Sequence, residues 1–176
     1  MLATKLVRMI ETHFDKLSLE LAAEIRTSDR TSDFRKIRPE DLQLSATEVY
    51  GNLEDWLLHK TDADIARRFT MVGARRAAQG IRLHQCAWAL MLTRDHLWNF
   101  LRREAFADTL IQLYGEMELL QLLNQFFDRA LYYAIEGYEE ATRLHEQKTD
   151  LQRARDFATS IGLMSPAPDA SSSVEG

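Results

Sequence analysis

The sequence predicts an all-α protein, an antiparallel bundle of about five to six helices that ends in a long C-terminal helix. Three observations carry this expectation. Apolar residues recur at three- and four-residue steps along most of the chain, the period of one helical face. Leucine occurs 25 times, against 12 valines and isoleucines together; leucine loses little rotamer freedom in a helix, whereas β-branched side chains prefer sheets. Only seven glycines and three prolines punctuate the 176 residues, so turns are few.

The first helix is expected from Leu2 to about Arg26, on the stripe Leu6, Met9, Ile10, Phe14, Leu17, Leu21 and Ile25. Thr27 to Asp33 is a polar run whose side chains bond their own backbone, which reads as a loop. Pro39 opens a second helix, because its missing N–H costs nothing in a first turn. Leu42, Ala46, Val49, Leu53, Trp56 and Leu57 carry that helix to about Lys60. Thr61 with Asp64 three residues on reads as a capping box. It starts a third helix, bearing Ile65, Phe69, Val72 and Ala77, which Gly80 stops. A fourth helix, from Leu83 to about Arg103, is apolar over much of its circumference and is expected mid-bundle. Asp108 or Thr109 caps a short fifth segment to Tyr114.

The strongest pattern runs from Glu116 to about Gln147, with its polar residues confined to one stripe through Gln121, Gln125, Asp128, Glu136, Glu139 and Arg143. One bundle contact needs a stripe only about 100° wide. The apolar surplus therefore predicts a second buried face. We assign it to the same helix in a second copy, giving a homodimer with Leu119, Leu122, Leu123, Phe126 and Ala130 at its interface. At ~1.5 Å per residue this helix is about 48 Å long, enough to reach past its neighbours and pass a conformational change outward. Leu144, Leu151 and Ala158 are spaced by sevens, with Ala154 and Ile161 between them, so a helical extension over 148–164 is expected. The Pro-, Ala- and Ser-rich stretch 165–176 is expected to be disordered. Residues 1–147 would then form a helical sensor and dimerisation domain.

Composition narrows the function. With 22 basic against 27 acidic residues the net charge is −5, a poor match to nucleic acid, whose binders show a basic excess. Arg67, Arg68, Arg75, Arg76 and Arg82 are the one basic concentration. Around Gly80 they suggest a helix-turn-helix, but Arg75 and Arg76 stand where that motif packs small and apolar residues. They read instead as a solvated face paired with Asp62, Asp64 or acids elsewhere. No apolar run approaches the roughly 18 residues of a membrane span. Lys5, Arg8, Glu11 and Asp15 break up any leader-like apolar core. A cytoplasmic protein of bacterial type is expected, with no membrane partner. The single Cys86 rules out an internal disulfide and reads as a small buried hydrophobe.

No catalytic constellation is legible. None of the five histidines follows a glutamate by three residues, and no pair has two-ligand helical spacing. Phosphate-cradling glycine loops and nucleophile elbows are missing too. No enzyme activity, resident metal or cofactor is expected. The alternative from another class is a small-molecule or haem sensor. Haem needs an axial ligand such as histidine inside an apolar pocket, and His84 or His96 beside Trp88 and Trp98 is the place for one.

One further pattern spans nearly the whole chain. The run Ala74-Arg75-Arg76-Ala77-Ala78-Gln79-Gly80-Ile81-Arg82-Leu83, continued through Trp88-Ala89-Leu90-Met91 to Arg94-Asp95-His96-Leu97-Trp98-Asn99-Phe100, resembles the RsbRD N-terminal domain family of bacterial stress signalling. Asn52-Leu53-Glu54-Asp55-Trp56-Leu57, Phe126-Phe127-Asp128-Arg129-Ala130 and Gly137-Tyr138-Glu139 extend the resemblance over about residues 5–145. Arg82 departs from it, standing where the family often has proline. The resemblance implies a non-catalytic helical regulatory domain that acts by homodimerisation and by contact with a signalling partner in the stress response.

Overall fold

A computed structural model describes residues 2–104 and 110–162, with side chains over 4–104 and 114–162. Among the described residues every regular element is helical. The first expected helix is two: α1, Leu2–Thr12, and α2, Phe14–Thr27. The break has a local cause. The His13 ring nitrogen Nδ1 lies 2.8 Å from the Met9 carbonyl oxygen, and the His13 N–H bonds the Ile10 carbonyl at 3.0 Å instead. A side chain that takes the carbonyl four residues back competes with the helix's own ladder. The apolar stripe survives the break: Ile10, Leu17, Leu21 and Ile25 are buried, Leu6, Met9 and Phe14 are half-buried, and Val7, outside the predicted stripe, is buried as well.

The expected loop is ordered. Asp29–Lys36 forms 3-10 turns interrupted at Thr31, packed against α2 and the later helix Leu83–Glu104. Thr31 is fully buried, its hydroxyl donating to the Ile25 carbonyl at 2.5 Å. Asp33 ties this segment to the turn at Gly80. Its carboxylate accepts from the Arg82 backbone N–H at 3.1 Å and from Nε and Nη2 of the same residue at 2.8 and 3.2 Å. The fully buried Gln85 closes the clamp, accepting from the Asp33 N–H at 2.7 Å. A proline at 82 would have no N–H to give, so this clamp needs a residue with a free backbone donor there.

Those hydrogen bonds from Arg82 hold the Asp33 carboxyl down from its usual 3.8 to about 2. A carboxyl whose folded value is depressed contributes stability above its unfolded value and loses it as pH falls through the folded one. The clamp is therefore expected to hold above pH 3.8 and to fail on the way down to about pH 2. Asp33→Asn should lower the melting temperature at neutral pH and flatten its dependence over that acid window, as thermal melts across pH would show.

Helix α3, Pro39–Tyr50, starts on its proline as expected but ends at Gly51 rather than near Lys60. The chain re-enters through a π-helical turn, Asp55–His59, closed by the Lys60 N–H on the Asp55 carbonyl at 2.8 Å. Leu53 and Trp56 still reach the core. Helix α4, Asp62–Ala78, carries both halves of the predicted capping box. The Asp64 N–H donates to Thr61 Oγ1 at 3.3 Å and the Thr61 N–H to Asp64 Oδ2 at 3.0 Å. Gly80 sits at φ +68°, the left-handed stop that glycine takes at no steric cost. Helix α5, Leu83–Glu104, touches α1, α2, α4 and the 3-10 segment, as its broad apolar surface implied.

The last helix, α6, runs Leu110–Ser160 without interruption. Leu110 to Tyr114 thus belongs to it rather than to a separate fifth segment; the proposed caps Asp108 and Thr109 lie outside the described residues, as does 165–176. Thr70 faces Gly137 and Gly73 faces Ala134, so α4 and α6 cross antiparallel with their backbones in direct contact. The chain divides into two compact units, Met1–Ala141 and Thr142–Gly176. No helix among the described residues is long and apolar enough to cross a membrane.

Candidate functional site

Within the first unit, α6 buries the arc assigned to a dimer face in its own bundle, while Tyr114, Met117 and Tyr132 stay exposed. Leu119, Leu123, Phe126 and Ala130 are each at most 3% exposed within the single chain; only Leu122, of the five residues assigned to a dimer face, is half-buried. Phe126 stands in an aromatic cluster, its ring centroid 5.8 Å from Trp56, 5.7 Å from Phe69 and 5.0 Å from Phe127. The wide apolar arc therefore packs against helices of its own chain, because α6 is flanked on more than one side. It is not a free face.

The four residues suggested for a ligand or haem pocket occupy different surroundings. His84 is exposed. Trp88 is half-buried beneath the Arg30 guanidinium, 4.3 Å above its ring. His96 stacks on the buried Tyr50, with Nδ1 at 3.1 Å from Glu24 Oε2 and Nε2 at 3.7 Å from Glu20. Trp98 borders surface grooves, one with Leu6, Leu101 and Leu119. Among the described residues no cluster of three potential metal ligands forms.

A cavity of about 90 Å³, open on one side, lies elsewhere, lined by residues of α2 to α6 and the 3-10 segment. Its walls are apolar, with Leu21, Ile25, Phe34, Val49, Phe69 and Phe127 prominent. None of His84, Trp88, His96 and Trp98 lines it. The exceptions to its apolar character are Arg76, Cys86 and Thr93, all buried in its lining, and Ser45, Arg68 and Arg75 on the more exposed side.

Arg76 corrects the reading of the arginine run as a solvated face. Arg67 pairs with Asp64 at 3.5 Å, Arg68 with Glu48 and Arg82 with Asp33, and Arg75 is exposed. Arg76 is 8% exposed. Its Nη1 donates to the neutral Gln79 Oε1 at 2.8 Å, and its Cζ lies 5.4 Å from the centroid of the Phe34 ring. Burial pushes its guanidinium below its ordinary value. Ile65, Phe69, Val72, Gly73 and Arg76 fall on one helical face. That spacing held the signal that Arg76 turns inward, and charge alone concealed it. Burial likewise pushes the Cys86 thiol up to about 11 in spite of nearby Arg76, so it is protonated at neutral pH, like an unreactive core cysteine.

The matching family model is the RsbT co-antagonist protein rsbRD N-terminal domain, over residues 15–153. No curated protein and no solved structure matches. The family match covers most of the chain, including every residue that lines the cavity, and it spans the motifs around Gly80, Trp98 and Phe126. The chain belongs to the RsbRD N-terminal domain family, a family of regulatory domains in stress signalling.

Proposed function

We propose that the chain is a non-catalytic signalling domain that works by protein–protein contact, and that it pairs with a second copy of itself through the helical segment Leu144 to Ile161. The observation that carries this is the unit beginning at Thr142, considered by itself. Its helix exposes Leu144, Leu151 and Phe157 at 44, 62 and 64%, and the turn that follows exposes Ile161 at 52%. An isolated helix shorter than about 15 residues is marginal in water, and one only slightly longer gains most from packing an apolar face. Leu144, Leu151 and Ala158, with Ala154 and Ile161, form the seam of a short two-stranded coil.

A second copy suits this seam because in a parallel pair Asp150 meets Arg155 across the flanking positions. Arg143 and Lys148 meet there as like charges, which keeps the association weak. The pairing is thus expected to depend on concentration. On this reading the domain acts in the bacterial cytoplasm, in stress-response signalling, with a protein partner as its output.

Sedimentation from low to high micromolar concentration tests it. Wild type is expected to shift from monomer toward dimer, and Leu151→Glu to remain monomeric with an unchanged melt of the bundle. A wild-type monomer throughout, or a dimer indifferent to Leu151→Glu, would rule the pairing out.

A further inference from the structure

We propose that the cavity around Arg76 binds a small monocarboxylate with a compact apolar tail, its carboxylate on the guanidinium and its tail against Phe34, Phe69 and Phe127. The binding does not depend on the pairing proposed above. It begins from a deficit. A buried charge is costly unless it is paired and hydrogen-bonded. Among the described residues no carboxylate lies within ion-pair distance of Arg76, whose hydrogen-bond acceptor is the neutral Gln79. The nearby acids are committed, Glu48 to Arg68 and Asp41 to Arg38 at 3.0 Å. With Arg68 answered by Glu48, the lining carries the charge of Arg75 and Arg76 with no acid of its own.

A guanidinium offers five N–H donors in a planar fork that matches a carboxylate two-to-two. An anion would supply what the site lacks. The walls then choose the anion. Phenylalanine, leucine and valine surfaces cannot satisfy a phosphate's or a sugar acid's remaining polar atoms, whereas an aliphatic tail gains by leaving water. Size narrows it again. At ~30 Å³ for each water-sized group, about 90 Å³ has room for roughly three such groups, the methyl, methylene and carboxylate of an acid the size of propanoate. Ser45, Arg68 and Arg75, the more solvent-exposed lining residues, mark the side from which it would enter and would attract an acid electrostatically.

Calorimetric titration and thermal shift with sodium propanoate, propan-1-ol and inorganic phosphate test the proposal on the full chain. Propanoate is expected to bind saturably at one site and raise the melting temperature. Propan-1-ol and phosphate should each bind about tenfold more weakly or worse, the scale of a lost charge-assisted hydrogen bond. Arg76→Met should erase the preference for propanoate over propan-1-ol. It should melt no lower than wild type, because it removes a buried charge held without a counter-ion. Ala89→Met, which fills the cavity and keeps the arginine, should abolish binding of both organic ligands. No propanoate binding at millimolar concentration would overturn the proposal. So would phosphate binding as tightly as propanoate, or propanoate binding that survives Ala89→Met. A large fall in the melting temperature of Arg76→Met would make the arginine a structural group and also overturn it. Should that variant fail to fold at all, the wild-type ligand series with Ala89→Met still decides the point.

Discussion

Gly137→Ala is expected to lower the melting temperature by roughly 4–8 °C, corresponding to about 2 kcal/mol or somewhat more for a chain of this size. On propensity alone the change should stabilise, because alanine is favoured over glycine inside a helix by about 1 kcal/mol. Packing outweighs that gain. A Cβ at position 137 would lie 2.1 Å from the Thr70 carbonyl oxygen, and one at position 73 would lie 1.9 Å from the Ala134 carbonyl oxygen. Ordinary contact begins near 3.4 Å. Both obstacles are main-chain atoms, which cannot rotate away as a side chain would, so α4 and α6 would have to separate. Gly73→Ala should behave alike. Gly80→Ala is the informative control: nothing lies within 4 Å of its Cβ position, and only the left-handed backbone is taxed, by about 1–2 kcal/mol. If both helical glycines accept alanine without loss of stability, the close crossing of α4 and α6 is wrong.

Phe126→Ala is expected to cost about 3–5 kcal/mol, the usual range for removing a buried aromatic side chain. Phe126 is 3% exposed and touches three other rings on three different elements, so its loss would leave a void that α4, α6 and the π-turn cannot all close. Leu122→Ala, at a half-buried position of the same helix, should cost clearly less. Denaturant unfolding followed by tryptophan fluorescence would report both, since Trp56 adjoins the Phe126 ring. The comparison separates two uses of one helix. Glutamate at Leu123 is expected to unfold the bundle, whereas glutamate at Leu151 should leave it folded. A Phe126→Ala variant within 1 kcal/mol of wild type would mean that the arc at 119–130 is not core, and would return it to the surface available for a second copy.

Much of the fold was legible because local chemistry decides it. The Thr61–Asp64 box, the proline at the start of α3, the Gly80 stop and the breadth of the apolar surface on α5 each follow from residues close in sequence, and each stands as expected. The order of the motifs from Asn52 to Glu139 was likewise enough to identify the family. The misplaced boundaries were those where a competing interaction operates without changing the hydropathy period. The His13 ring takes a carbonyl within an unbroken stripe, and Gly51 stops α3 while Leu53 and Trp56 continue its apolar pattern.

The amino-acid sequence by itself determined that this chain is all-helical, where its principal caps and stops fall, and which family it joins, because those depend on periodicity, capping and motif order along the chain. Only the tertiary structure decided what the apolar and charged surpluses are for. An apolar arc looks the same whether it meets a neighbour in its own chain or in another, and an arginine looks solvated until its helix face is known. The close glycine crossing of α4 and α6, the enclosure of Phe126, and the apolar cavity beside Arg76 all arise from distances between residues far apart in sequence, which no local pattern encodes.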